Sequence, residues 1–391
     1  MQQHLSTAIP AAASDPGTPA RAPRRLPDEL VLMILDWCRH LKYKRESTLA
    51  ALCRLSKRYH KDGERLLYTH VELLRDGSVL KPLTVRPWLR RHVKSVYVGI
   101  EGQDLEDARV ASVLANLHNV EVVCGQPSEE AIRLILSHPR VRLASLELDL
   151  DSMSAPKIFM DCAKALSSLR ELRTDVVSDL IELPAAALRH LKTLYIETYC
   201  DGLMFDRDMA PSLGQLDDLT WPVLSDSEID LAPFPHLERL QLRIVSVPHA
   251  VGRDAFERRA GKGLVQLLEK AGSRTRLIHL AVQGTVQVRL LDDRLSTNPA
   301  HFFGQSSTIL AALPRHIQYL TLDTNCVRPT DFAAYLLDPA RRPPGLRRLQ
   351  VGNEVGLGLM ALLRGVGGPY GALAGELERA GIEVTMTASS R

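Results

Sequence analysis

Residues 237–242 read LERLQL: an apolar residue, two variable residues, a second apolar residue, one variable residue and a third apolar residue. The last two apolar positions are two apart, so in an extended strand their side chains point to the same face. The same pattern occurs at ten places along the chain, with Thr174 in place of the third apolar residue at one of them. Its first positions are Val93, Leu117, Leu143, Leu169, Leu191, Leu216, Leu237, Leu277, Ile317 and Leu346.

The spacing of these units identifies them as a repeat. Seven of the nine steps between successive first positions lie between 21 and 29 residues, and the other two steps are 40 residues long. Leu-rich helices produce a single such string by chance, but ten strings at this spacing are not explained that way. A period of about 20–29 residues is typical of leucine-rich repeats. The two long steps require insertions, and residues 252–272 predict a long helix in the first of them.

Segments with helical spacing lie between the units. Ile132, Ile135 and Leu136 follow Ser128, a residue type that caps helix amino termini, and residues 129–130 are both acidic. One strand and one helix cannot bury an apolar side alone, whereas stacked units bury it continuously. Residues 74–391 therefore resemble the irregular, intracellular form of the leucine-rich-repeat family. The resemblance implies an α/β solenoid with parallel strands on the concave face and helices outside. Many members of the family place an Asn three residues after the strand. This sequence departs from that pattern, because the Asn occurs only once, as Asn325.

The amino-terminal part of the chain differs from the repeats. Residues 1–25 are rich in Ala, Pro, Ser and Thr and predict a disordered tail. A helix is predicted from Pro27, and the six apolar residues 30–35 would cover every side of it. Two further short helices are predicted within residues 48–67. Three such helices form too small a core to enclose this surface, so they must pack on the repeats, on another protein or on both.

The residues of this segment resemble an F-box of the fungal type. The strings that carry the resemblance are LPxEL at 26–30, Ile34, LxxLCxLSKxY at 49–59 and LLYTHVEL at 66–73. The resemblance implies that residues 26–73 bind the Skp adaptor of a cullin–RING ubiquitin ligase while the repeats bind a protein substrate. The departures are a basic connection at residues 42–45 and Tyr59, where many members carry Trp. The adaptor-binding residues it implies are Leu26, Pro27, Leu30, Ile34, Leu35, Leu52, Cys53 and Leu55.

Two alternatives to a ligase subunit remain at this point. Terminal repeats need caps, so residues 26–73 could cap the first repeat of an interaction scaffold with no ligase connection. An enzyme on an unrecognised α/β fold is the third interpretation, and the motifs oppose it. The glycine-rich segments 352–358 and 365–371 lack the Lys-Ser/Thr of a phosphate loop. The histidines show no metal-ligand spacing, and the six cysteines form no CxxC pair. We therefore predict no catalytic residue, no cofactor and no metal site.

Charge and hydropathy limit the partners further. The 49 Lys and Arg and 46 Asp and Glu give a net charge of +3, and both signs are mixed along the chain. We therefore predict no nucleic-acid or membrane partner. No run of 18 apolar residues occurs, and the cysteines are typical of reduced thiols, so we expect a cytoplasmic or nuclear protein.

The predicted strands also indicate which side chains could meet a substrate. Residues that alternate with the buried pair of each strand should point to the concave side. They are Glu147, Asp149, Glu171, Arg173, Tyr195, Glu197, Arg239, Gln241, Arg243, His279, Gln283, Tyr319, Thr321, Asp323, Arg348 and Gln350. Because Tyr and Arg dominate binding hot spots, the candidate substrate-binding residues are Tyr195, Arg239, Arg243 and Tyr319.

Overall fold

The chain divides into two compact units, Met1–Leu67 and Tyr68–Arg391. The computed structural model describes residues 27–39, 45–55, 59–74, 79–99, 108–125, 128–149, 161–175, 188–196, 214–223, 231, 234–244, 253–274, 276–284, 306–324, 327–352, 359 and 372–386. The range 26–73, predicted as F-box-like, therefore spans the helices of the first unit and the first strand of the second.

The described residues of the first unit form three helices, α1 Asp28–Arg39, α2 Arg45–Leu55 and α3 His60–Leu67. Leu49 of α2 is fully buried, and Val31, Tyr59, Leu66 and Leu67 pack against it. Helices α2 and α3 approach closely at Gly63, where an added Cβ would lie 2.5 Å from Cys53 Sγ. Among the described side chains of α1, Val31 packs on this core.

The second unit is built on one parallel sheet. Its twelve described strands are hydrogen-bonded in chain order. They are β1 His70–Leu74, β2 Ser95–Gly99, β3 Val122–Gly125, β4 Ser145–Asp149, β5 Glu171–Asp175, β6 Thr193–Ile196, β7 Asp218–Val223, β8 Arg239–Ile244, β9 His279–Gly284, β10 Tyr319–Thr324, β11 Arg348–Val351 and β12 Glu383–Met386. The register is constant, since Leu219 pairs with Leu240, Leu240 with Leu280 and Leu280 with Leu320.

Helices connect many of the strands. They are α4 Leu80–Val85, a 3-10 helix Pro87–His92, α5 Ala108–Ala115, α6 Glu129–Leu136, α7 Ala163–Leu166, α8 Arg253–Gly272, α9 Ser306–Ala311, α10 Pro329–Leu337 and α11 Leu373–Arg379. The predicted Ser128 cap is confirmed, because its hydroxyl accepts a hydrogen bond of 3.3 Å from Ala131 N. One hydrophobic cluster extends from Val71 to Ile382 and joins the buried strand positions to the helices. The second unit is an α/β leucine-rich-repeat solenoid, as the pattern predicts.

Nine of the ten predicted units have the predicted register, and one is wrong. The pattern at Leu117, Val120 and Val122 places Val122 on the buried face. In the sheet Val123 is buried and pairs with Val96, while Gly125 pairs with Val98. The correct pattern is Val120, Val123 and Gly125. The third position of this unit is a glycine. A side chain would not fit there, because a Cβ on Gly125 would lie 2.5 Å from Val98 O.

Two strands and the two long steps of the sequence pattern lie outside the ten predicted units. The sequence reasoning did not predict strands β1 and β12 as repeats. Tyr68, Val71 and Leu73 fit the pattern, because Val71 and Leu73 pair with Val96 and Val98, whereas β12 has Gly381 in the first position. The long helix predicted in the first 40-residue step is confirmed by α8. The second 40-residue step includes residues 285–305, and these, like Asn325, lie outside the described residues.

Tyr335 of α10 offers a test of the packing inside the array. Its hydroxyl is buried and has no hydrogen-bond partner among the described residues. Burial raises the pKa of Tyr335 to about 12. We expect Tyr335→Phe to raise the free energy of unfolding by about 1 kcal/mol at neutral pH, because a buried hydroxyl without a partner costs desolvation energy. Urea denaturation of the full chain measures this change.

The same substitution should change the alkaline stability. The unfolded tyrosine ionises near pH ~10, below the raised pKa of the folded residue. The folded wild type therefore loses stability as the pH rises from that value towards 12, and Tyr335→Phe should lack this loss. Tyr97→Phe, at a position that is 43% exposed, is the matched control. Equal alkaline loss in wild type and Tyr335→Phe would contradict the prediction.

Candidate interaction surface

Alternate positions of the strands point away from the buried cluster and form what we call the open face. Its members on β4 to β10 include charged, aromatic and amide side chains. They are Glu147, Glu171, Arg173, Thr193, Tyr195, Asp218, Thr220, Arg239, Gln241, Arg243, His279, Gln283, Tyr319, Thr321 and Asp323. Asp149 is in β4, but its side chain lies outside the described part, as does residue 197.

Tyr195 is the centre of the first group on the open face. The Cζ atoms of Arg173 and Arg243 lie 4.3 and 5.4 Å from the centroid of its ring. Arg243 Nη1 also donates a hydrogen bond to Tyr195 Oη, and Glu147 Oε1 lies 3.8 Å from Arg173 Nε. Cation–π contacts of this kind contribute about 0.5–2 kcal/mol each. The ring and both guanidinium groups are thereby held in fixed positions on the surface.

A second group crosses β7 to β10. Arg239 Nε lies 3.3 Å from Asp218 Oδ2, and the rings of His279 and Tyr319 lie 5.8 Å apart at an angle of 51°. Burial raises the pKa of the Asp218 carboxyl, and Arg239 partly offsets this rise. Burial also lowers the pKa of the His279 imidazole, and Arg239 lowers it further. The group therefore offers a cation, a carboxylate, an imidazole and a phenol on adjacent strands.

Polar side chains lie between and beyond the two groups. Gln241 Nε2 donates a hydrogen bond of 2.7 Å to Gln283 Oε1. Asp323 Oδ1 is buried and accepts no hydrogen bond from a described residue, and burial raises the pKa of the Asp323 carboxyl. These amides and the carboxylate can exchange hydrogen bonds with a polypeptide backbone or a polar side chain.

The four candidate substrate residues all lie on the open face, in two groups. Tyr195 and Arg243 are in direct contact. Arg239 and Tyr319 occupy paired positions on either side of His279. Sequence reasoning missed Asp218, although the signal was present: Asp218 precedes Leu219 as Arg239 precedes Leu240. It also missed the stacking of Arg173 on Tyr195.

The candidate adaptor-binding residues lie in the first unit. Pro27 is exposed, and its carbonyl accepts hydrogen bonds of 3.1 and 3.2 Å from the backbone N–H groups of Leu30 and Val31. Cys53 is half-buried, and its thiol lies 3.9 Å from His60 O. Burial and then the Glu64 carboxylate raise the pKa of this thiol. Leu26 lies outside the described residues, while Leu35, Leu52 and Leu55 are in α1 and α2 with side chains that the structure does not describe.

Helix α1 presents an apolar stripe to its exterior. Leu30, Met33, Ile34 and Trp37 are 44, 66, 38 and 65% exposed. Their spacing is i, i+3, i+4 and i+7, so they share one face of the helix. We call these four residues the α1 stripe. Sequence reasoning named Leu30 and Ile34 but not Met33 or Trp37, although the same spacing connects all four.

The described residues contain no group of three or more His, Cys, Asp or Glu side chains that could hold a metal ion. No helix in the described part of the chain has the length and apolar content needed to cross a bilayer.

Comparison with known proteins gives similarity at the level of fold. No protein-family model and no curated protein matches the chain. It is similar to the crystal structure of the TLR13–ssRNA13 complex, with 14% identity, a TM-score of 0.39, and coverage of 83% of this chain and 38% of that chain. It is also similar to the leucine-rich-repeat-containing protein LegL7 from Legionella pneumophila, with 14% identity, a TM-score of 0.41, and coverage of 82% and 91%.

The chain thus spans less than half the length of the TLR13 chain. Its own sheet, with parallel strands in constant register and one strand per sequence unit, has the architecture of a leucine-rich-repeat solenoid.

Proposed function

We propose that the protein is the substrate-recognition subunit of a Skp–cullin–F-box ubiquitin ligase. Residues 26–73 would bind the Skp adaptor, and the repeat array of residues 74–391 would bind a protein substrate. Support comes from the F-box-like strings at residues 26–30, 49–59 and 66–73, which precede the repeats in the order that such proteins use. The role needs no catalytic residue on this chain, because ubiquitin transfer takes place on the partner proteins.

The observation that carries the proposal is the α1 stripe. Burying one side chain of this size contributes about 1.5–3 kcal/mol, so four such residues on one face favour burial against a partner. The stripe begins three residues after Pro27, within the LPxEL string. Leu30 and Ile34 both belong to the α1 stripe. They are the two α1 residues with described side chains that the F-box resemblance assigns to adaptor binding.

Co-purification with the adaptor tests the proposal. The full chain is expressed with a Skp adaptor, and the mixture is separated by size-exclusion chromatography. We expect a stoichiometric complex. A stable chain that elutes apart from the adaptor would contradict the proposal and favour the alternative, an interaction scaffold whose helices have no ligase connection.

For the substrate, we propose that the open face makes the contact through Tyr195, Arg239, Arg243 and Tyr319. The two groups present fixed aromatic and guanidinium surfaces, the side-chain types that dominate binding hot spots. A chain with all four residues replaced by alanine should keep the adaptor but lose the other proteins that co-purify with it, as measured by quantitative mass spectrometry. An unchanged set of co-purified proteins would end this assignment.

A further inference from the structure

The edge of the sheet at which the strands begin carries a strong excess of positive charge. We define the amino-terminal edge as the described residues that precede β2 to β12: 86–94, 116–121, 137–144, 167–170, 188–192, 214–217, 234–238, 273–274, 276–278, 312–318, 338–347 and 380–382. These residues include fifteen Lys and Arg but only four Asp and Glu. The whole chain is nearly balanced, with 49 against 46. These described residues therefore carry a net charge of +11 (15 − 4), against +3 for the whole chain.

The backbone places two of these cations, Arg170 and Lys192, next to each other. The residue before each strand is hydrogen-bonded to its equivalent in the preceding unit: Lys192 N donates to Arg170 O at 2.8 Å, and Asp217 N donates to Lys192 O at 3.0 Å. Neighbouring strands of a sheet lie about 4.8 Å apart. Arg170 and Lys192 therefore lie side by side on adjacent units, and Asp217 occupies the next equivalent position.

A cavity of about 430 Å³ lies within this edge, lined by Ser167, Ser168, Arg170, His190, Lys192 and Gln215. The two serine hydroxyls are already used, since they donate hydrogen bonds of 2.8 Å to Lys164 O and Leu143 O. Arg170 and Lys192 are exposed and form no ion pair with any described residue. The cavity thus has two cations available for an anionic group.

We propose that the amino-terminal edge binds an acidic segment of a partner protein, with its carboxylates at Arg170 and Lys192. This inference deepens the proposed function, since the acidic segment would belong to the substrate. A polypeptide fits better than a nucleic acid. Proteins that bind single strands combine positive charge with aromatic rings on which bases stack. Among the described Phe, Tyr and Trp residues of the edge, Trp88 is the only one that is exposed.

A labelled oligoglutamate peptide of about twelve residues tests the inference by fluorescence anisotropy with the full chain. We expect the peptide to bind, with weaker binding as salt screens the charges. Arg170→Glu/Lys192→Glu should weaken binding at least tenfold. Lys61→Glu/Lys262→Glu, which changes the net charge equally at exposed positions of α3 and α8, is the matched control and should leave binding unchanged.

Three results would overturn the inference: no peptide binding, equal weakening in both variants, or a uridylate oligomer of the same charge that binds as tightly as the peptide. Adaptor co-purification of the same proteins separates this inference from the ligase proposal. Peptide binding without adaptor binding supports the binding of an acidic segment at the amino-terminal edge and contradicts the ligase proposal. Adaptor binding without peptide binding supports the ligase role and contradicts the binding of an acidic segment at the amino-terminal edge.

Discussion

Replacing Leu30 and Ile34 together by aspartate is expected to weaken adaptor binding by about a hundredfold or more. Each apolar side chain of this size that is buried in an interface contributes about 1.5–3 kcal/mol, and a carboxylate placed there would be desolvated without a partner. A loss of about 1.4 kcal/mol is a factor of ten in affinity, so even the lower bound gives this effect. Isothermal titration calorimetry with the purified adaptor measures it.

The double variant should remain folded, because both side chains are already 44 and 38% exposed. Val85→Asp/Trp88→Asp is the matched control, since it makes the same chemical change at residues of the second unit that are 68 and 53% exposed. Thermal melting of both variants checks their folding. If the Leu30→Asp/Ile34→Asp chain binds the adaptor as tightly as the control does, the α1 stripe is not the adaptor-binding surface.

The repeat pattern predicted the fold of the second unit because a strand that is buried on one face must place its apolar side chains at alternate positions, which determines its register. Leu240, Leu280 and Leu320 therefore fall on the same column of the sheet as the pattern requires. The pattern fails at Gly125, where the main chain of the neighbouring strand leaves no space for an apolar side chain. It also fails at β12, where Gly381 stands in the first apolar position. That glycine has a φ of 67° and ends helix α11.

The open face was predicted in part for a related reason. Strand alternation gives the direction of each side chain, and this places Tyr195, Arg239, Arg243 and Tyr319 correctly. Alternation does not give neighbours, because the contact of Arg243 with Tyr195 joins residues 48 apart in sequence. The basic edge escaped sequence reasoning for the same cause. Its cations are distributed a few per unit, and only the parallel register brings Arg170 and Lys192 together.

Gly125→Ala is expected to lower the free energy of unfolding by about 2–6 kcal/mol. The residue has a φ of 101°, a conformation that costs a residue with a side chain about 1–3 kcal/mol. The new Cβ would also lie 2.5 Å from Val98 O and 3.1 Å from Val98 N on β2. The main chain of β2 or β3 would have to move, and forced packing adds about 1–3 kcal/mol. Urea denaturation of the full chain measures the change.

Gly375→Ala is the matched control for this prediction. Gly375 is within helix α11, and an added Cβ would meet no atom within 4 Å. Alanine there should stabilise the chain by up to about 1 kcal/mol, because glycine is the poorer helix former. If Gly125→Ala is no more destabilising than Gly375→Ala, the close contact of β3 with β2 does not exist. The correction that places Val123 and Gly125 on the buried face would then fail as well, because the same pairing to β2 supports both.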